Sequence, residues 1–374
     1  MSDQAVLFPT IDPVGPWRDG AADLAHVIAR LVAPYAAATD VAGVPRATID
    51  ALAAAGLLGP ERPAVEQREV AELLAGSDAT TWFCWVQHQT PTRVLDGAVA
   101  GLLTPAAPSL TQNMLPALRS GERLAAVAFA HLRRPGPPNP VATRVDGGWR
   151  LDGSLDWVTS WDIADVVLVM AQCADDDRIV CCYLPAGRAG ALLPGMHVGE
   201  VLPLLSMGGT HTRPLQLESV VVDDEHVGAV LDRSAYLAAD ELRTCDANPS
   251  AFGVTRGAVA ELAVVAEQRA DARMAELASM LVDECRAVRA QAYEAADAGA
   301  SAHVRVELRA RSLDLVMRAT TSVVVARAGG AMLQPSSAER RVREALFLQV
   351  QAQTARTRAA QLELGARHLD LLGG

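Results

Sequence analysis

The sequence predicts an α+β fold in three sections: an N-terminal helical domain, a central antiparallel β domain and a C-terminal bundle of the four-helix type. Three observations carry this reading. Residues 1–121 show helical periodicity cut by Pro and Gly, residues 122–230 switch to short apolar runs of strand length, and residues 231–374 return to long apolar stripes with few turns. With 374 residues, half of them hydrophobic, the chain can bury more than one core layer.

In the first section helices are expected over 23–37, over 47–57 with a stop at Gly59-Pro60, over 64–75 after Pro63, and over 78–100. Asp78 caps the last of these, and a further helix at 111–120 ends at Gly121. In the second section 124–130 is a continuous apolar run, and 141–145 and 149–151 flank Asp146-Gly-Gly148, a hairpin signal. Strands are also expected at 165–170, 179–184 and 215–222, and short strands without intervening helices point to an antiparallel sandwich or barrel. In the third section Met274, Leu277, Leu281, Cys285 and Val288 mark one helical stripe. Two long helices follow at 304–328 and 338–371, separated by the break from Gly329-Gly330 to Pro335.

Composition excludes whole classes of chemistry. The 33 basic residues are all arginine, so no Schiff base, pyridoxal-phosphate anchor or P-loop lysine exists. A net charge of −11 argues against a nucleic-acid binder. That charge is uneven: residues 1–230 carry 15 Arg against 26 acids, and residues 231–374 carry 18 against 18. The neutral, Arg-rich section could hold a phosphorylated cofactor or substrate, or present balanced ion pairs to solvent.

Six cysteines show no metal-ligand spacing and read as buried small hydrophobes in a reducing compartment, so no metal is expected. No leader peptide and no membrane-length apolar stretch is evident, and a cytoplasmic protein is expected. GxGxxG, Walker A, HExxH, GxSxG and CxxC motifs are all missing.

What remains is a constellation. In Gly153-Ser-Leu-Asp-Trp-Val-Thr-Ser160 a Trp and a hydroxyl stand two residues apart, on one face if the segment is a strand. Such a face offers an aromatic plane and a hydrogen-bonding group to a flat heteroaromatic cofactor; a core Trp with a satisfied Thr reads equally well. With the order helical, β, bundle, and Gly-Gly before the last helix, the chain resembles the acyl-CoA dehydrogenase superfamily over nearly its whole length. Leu115-Pro-Ala-Leu-Arg-Ser-Gly-Glu122 looks like that family's lead into the β domain, and Trp157-Val-Thr159 like its flavin-side Trp-Ile-Thr. Met207-Gly-Gly-Thr-His-Thr212 stands where the family has Arg-Gly-Ser-x-Thr, and 340–345 resembles Arg-x-x-Arg-Asp-Ala with Glu344 for Asp.

The resemblance implies bound FAD (or FMN), removal of an α-proton from an acyl thioester by a carboxylate, and hydride transfer to the flavin. It carries Trp157, Thr159 and Ser160 to flavin contact. Gly329 and Gly330 carry over to the nucleotide half, reached from a neighbouring subunit of a homodimer or homotetramer. An electron-acceptor protein or a flavin reductase is the implied redox partner. The departures matter: the family's Glu-Gly-Thr base is matched by Ala352-Gln353-Thr354, which shifts the expected base to Asp246, with Glu241 second. Asp246 also reads, and more readily, as a helix cap beside Asn248-Pro249. The family's Thr-Glu-Pro…Gly-Ser-Asp loop is replaced by residues 130–138, where His131, beside Arg133-Arg134, is a cofactor-binding candidate. His88, on a helix that lines the substrate pocket in this family, is a second catalytic candidate, and both histidines also read as structural. The alternatives are a flavin monooxygenase of the same fold, or a non-catalytic partner subunit.

Overall fold

The structure, a computed structural model, describes residues 21–59 and 62–370; the N-terminus searched for a leader, Pro60 and Leu371 lie outside them. Helices α1 (Ala21–Val32), α2 (Ala36–Ala42), α3 (Arg46–Ala54), α4 (Ala64–Ser77), α5 (Ala79–Leu95) and α6 (Pro108–Ser120) form the first section. Asp78 caps α5 as its sequence position suggests, accepting from the Thr81 N–H at 2.9 Å and the Thr81 hydroxyl at 2.6 Å. The helix stops at Leu95, short of the expected residue 100, because Gly97 and Gly101 take positive φ. The chain then enters an unexpected strand, β1 (Leu102–Pro105).

Eight strands follow: β2 (Ala125–Ala128), β3 (Val141–Val145), β4 (Gly148–Val158), β5 (Val166–Cys173), β6 (Arg178–Pro185), β7 (Met196–Val198), β8 (Arg213–Asp223) and β9 (Val227–Asp232). They form one sheet in the order β1-β9-β6-β5-β3-β4-β8-β7, with β2 also on β5. The expected β3–β4 hairpin is present, with Gly147 at φ 70°. The sheet is mainly antiparallel, as expected, and departs from that where β2 and β3 both run parallel to β5. The register gives the reason. β2 pairs with Val166–Val169 and β3 with Gln172–Cys173, so the two lie head to tail along one edge of β5. Residues 129–140 leave that line as an excursion from the sheet.

The last section holds α7 (Arg233–Thr244), α8 (Pro249–Arg269), α9 (Ala272–Asp297), α10 (Ala302–Arg327), α11 (Ser337–Val350) and α12 (Ala355–Asp370). The N-terminal helices share a core with it: Leu73, Leu74, Trp82 and Trp85 pack in one cluster with Val254, Leu313, Val316 and Leu348. Helix α8 meets α4 through Gly253 and Gly257. A Cβ at Gly253 would lie 2.2 Å from the Glu72 carbonyl oxygen, and one at Gly257 2.7 Å from that of Gly76. Only glycine admits so close a backbone approach.

Arginine explains how these layers are held. Glu72, wholly buried, accepts from Arg256 at 2.5 Å, Arg289 at 2.7 Å and the Tyr293 hydroxyl at 2.5 Å. Glu261 accepts from Ser337 at 2.6 Å and Arg327 at 3.1 Å, with Arg341 at 3.4 Å. Arg340 reaches Glu344 at 2.5 Å, and Arg343 pairs with Asp40 and Glu339. The Arg340–Ala345 segment therefore spends its charges on tying α11 to α2, α5 and α8.

Candidate functional site

The end of β4 carries the proposed flavin contacts. A register shift between Leu155 and Val158 twists the strand out of its ladder just before it stops. The same-face expectation for Trp157 and Thr159 is thereby modified: Trp157 is 48% exposed, whereas Thr159 is buried at 5%. Thr159 ends a chain of hydroxyls. Thr210 donates to the Met207 carbonyl at 2.7 Å, so its oxygen accepts from Thr212 at 2.8 Å. Thr212 has then spent its proton, and Thr159 must donate to it at 3.2 Å. Thr159 is left with acceptor lone pairs for an incoming N–H. Ser160, at φ 66°, anchors the turn by donating its N–H to the Thr210 carbonyl at 3.0 Å. Its buried hydroxyl faces Cys84, whose thiol burial pushes up to about 12.

Gly329 and Gly330 lie in the turn after α10, exposed, with open space where each Cβ would stand. That openness suits close approach of a ligand or of another chain. In the 129–140 excursion, His131 is bound through Nε2 to the Met170 carbonyl at 2.6 Å, and burial lowers its pKa to about 4. The arginines beside it are not both free: Arg134 pairs with Asp156, and Arg133 with Asp240 at 2.6 and 2.9 Å.

The base positions lie on two loops, α7–α8 with Asp246 and α11–α12 with Ala352. Asp246 is not a helix cap, since Asn248 caps α8. Both Asp246 oxygens are engaged by Arg305, at 2.6 and 2.8 Å. Glu241 is exposed and pairs with Arg356. Ala352 sits at φ 50°, beyond α11. Arg309 from α10 joins the two loops, donating to the Thr244 and Asp246 carbonyls at 2.9 and 3.3 Å and to the Gln351 carbonyl at 2.7 Å. Asn248 adds a bond to the Gln351 side chain at 2.9 Å.

His88 lies elsewhere. Its ring bridges α6 to β2: Nδ1 accepts the Ala125 N–H at 3.0 Å, so Nε2 carries the proton and donates to the Leu118 carbonyl at 2.9 Å. It is fully buried, and burial lowers its pKa to about 4. Both nitrogens are used by the backbone, so the geometry is that of a structural bridge and not of a proton-transfer group.

These residues fit a planar heteroaromatic group at the β4 end: an uncovered aromatic face, an acceptor hydroxyl and a rigid turn. They do not present a carboxylate free of a partner beside it. Sequence reasoning singled out the 207–212 stretch but not the hydroxyl relay of Thr210 and Thr212 within it, and it missed Asp240 and the Arg309 clamp. The spacing of Arg305 and Arg309, four residues apart on one helix face, was the available signal for the last. Among the described residues no helix is long and apolar enough to cross a membrane, and no His/Cys/Asp/Glu group is placed to hold a metal.

No protein-family model matches the sequence. The benzylmalonyl-CoA dehydrogenase of Aromatoleum aromaticum is 28% identical over 211 residues, 52% of this chain. The matched part spans about half (52%) of that relative's length. Among solved structures, a glutaryl-CoA dehydrogenase from Mycobacterium smegmatis in complex with FADH2 superposes with a TM-score of 0.77 at 15% identity, covering 95% of this chain and 97% of that one. A dibenzothiophene monooxygenase from Paenibacillus superposes with a TM-score of 0.71 at 18% identity, covering 92% and 96%.

Proposed function

We propose, from the premise that this chain is a divergent member of the acyl-CoA dehydrogenase superfamily, that it is a flavin-dependent oxidoreductase acting on the CH–CH group of an acyl thioester. The observation that supports this most is the hydroxyl relay ending at Thr159 beside the exposed Trp157 ring. FAD (or FMN) would supply the hydride-accepting chemistry. Trp157 would cover one face of its ring, Thr159 would accept an N–H from the ring edge, and Ser160 would hold the turn that positions both. Gly329 and Gly330 would admit the nucleotide half from a neighbouring copy in a homodimer or homotetramer.

Asp246 is the base in this reading, because it shares the Arg309 clamp with the loop that carries Ala352. Arg305 would orient it and must yield one carboxylate oxygen to the α-proton. A second reading, a flavin monooxygenase of the same fold, is favoured by that pairing and by the alanine at 352, since oxygen activation needs no α-proton removal. The electron partner is an acceptor protein in the first case and a flavin reductase in the second.

The discriminating experiment titrates the purified yellow protein anaerobically with a panel of acyl thioesters. Bleaching, lost in Asp246→Asn while flavin stays bound, supports the dehydrogenase. Failure to bleach, with a hydroxylated product once a flavin reductase and oxygen are supplied, supports the monooxygenase. A colourless protein that takes up no flavin rejects both and leaves a non-catalytic partner subunit.

A further inference from the structure

We propose that the junction of α5, α7 and α10 with the 129–140 excursion is a binding site for an oxyanion, the carboxylate or phosphate group of a small ligand. Four arginines converge there: Arg93 in the last turn of α5, Arg243 in the last turn of α7, Arg133 in the excursion and Arg309 on α10. Among the described residues, a single carboxylate hydrogen-bonds to two of them. Asp240, 4% exposed, accepts from Arg133 at 2.6 and 2.9 Å and from Arg243 at 2.5 Å. Among the described residues Arg93 and Arg309 have no carboxylate partner.

The four differ in their access to solvent. Arg93 and Arg243 are exposed at the rim, Arg133 is half-buried, and Arg309 is buried. Burial first, and then the like charge of Arg133, lowers the pKa of Arg309 to about 10. The neighbouring pairs Arg305–Asp246, Arg134–Asp156 and Arg356–Glu241 are internally neutral, and Asp246 answers the charge of Arg309 only in part. Arg309 answers three carbonyl dipoles only, and its Nε, buried, makes no hydrogen bond.

Cations withdrawn from water without counter-charge are costly unless something pairs with them. Guanidinium forks match the geometry of carboxylate and phosphate oxygens, which makes an oxyanion the fitting occupant. The site is local, because the chain as a whole is strongly acidic and repels anions at long range. It stands independently of the flavin assignment.

Because Arg309 also pins two loops, the test substitutes the rim. Isothermal titration calorimetry of the full chain at fixed ionic strength uses inorganic phosphate in one arm and malonate in the other. Saturable binding of either is expected, weakened about tenfold in Arg93→Gln and in Arg243→Gln and unchanged in Arg150→Gln, whose exposed side chain pairs with Asp152 on β4. Tighter malonate binding assigns the oxyanion to a carboxylate, and tighter phosphate binding to a phosphorylated group. No saturable binding in either arm, or equal binding in all variants, overturns the proposal. Flavin content is measured in the same samples: a chain that binds the anion but no flavin overturns the proposed function and leaves this site standing.

Discussion

Each ring nitrogen of His88 holds a backbone group, and burial keeps the imidazole neutral, with a pKa lowered to about 4. In the unfolded chain the ring titrates near its ordinary value of 6.5. Between those values the unfolded chain binds more protons, so stability is lost as pH falls, by about 3 kcal/mol for this one group. Urea unfolding at pH values of about 7 and about 4.5 should show that loss, and His88→Gln should show a smaller dependence on pH. The variant should also be less stable at neutral pH by about 2–3 kcal/mol, because the Ala125 N–H or the Leu118 carbonyl is left buried and poorly paired. Thr212 is a second residue with a defined direction. Thr212→Val interrupts the relay in the middle, and should cost about 1–2 kcal/mol in the same assay. If Thr159 meets the flavin, the same change should also shift the visible spectrum of the bound cofactor, since Thr159 regains a free proton to donate.

At the scale of elements, the charges inside the helical layers act as joints. Glu72 on α4 binds Arg256 on α8 and both Arg289 and Tyr293 on α9. Glu72→Ala should destabilise the fold by about 3–5 kcal/mol, because cations lose a buried carboxylate, whereas Asp283→Ala, at an exposed α9 pair, should change stability little. The same joints show what a linear reading can capture. The helices and most strands were legible because apolar period and Gly/Pro breaks are local properties. The parallel placement of β2 and β3 was not, since it depends on where residues 129–140 leave and rejoin the sheet. Nor were β1, β7 and β9, which are short or lie at the joins between sections. In the site, Trp157, Thr159 and Ser160 were legible from one segment. The relay was hidden because Thr210 and Thr212 come from another strand's approach. The Arg309 clamp left only the Arg305–Arg309 spacing as a trace, because its partners are carbonyl oxygens.

For the whole molecule, the sequence split between an acidic first part and an arginine-rich neutral second part has a structural meaning. Most buried arginines of the second part face the interior, holding the bundle and the N-terminal helices together. Arg133 and Arg243 converge on Asp240 at the junction where the oxyanion site is proposed. The central claim is that this acyl-CoA dehydrogenase-like fold still holds a flavin at the end of β4. The most direct measurement is the visible absorption spectrum of the purified full chain, before and after incubation with FAD, for the native sequence and for Trp157→Ala. The account predicts stoichiometric flavin in the native chain and weakened retention in Trp157→Ala, with both proteins equally folded by circular dichroism. A folded native chain that stays colourless after incubation would contradict it.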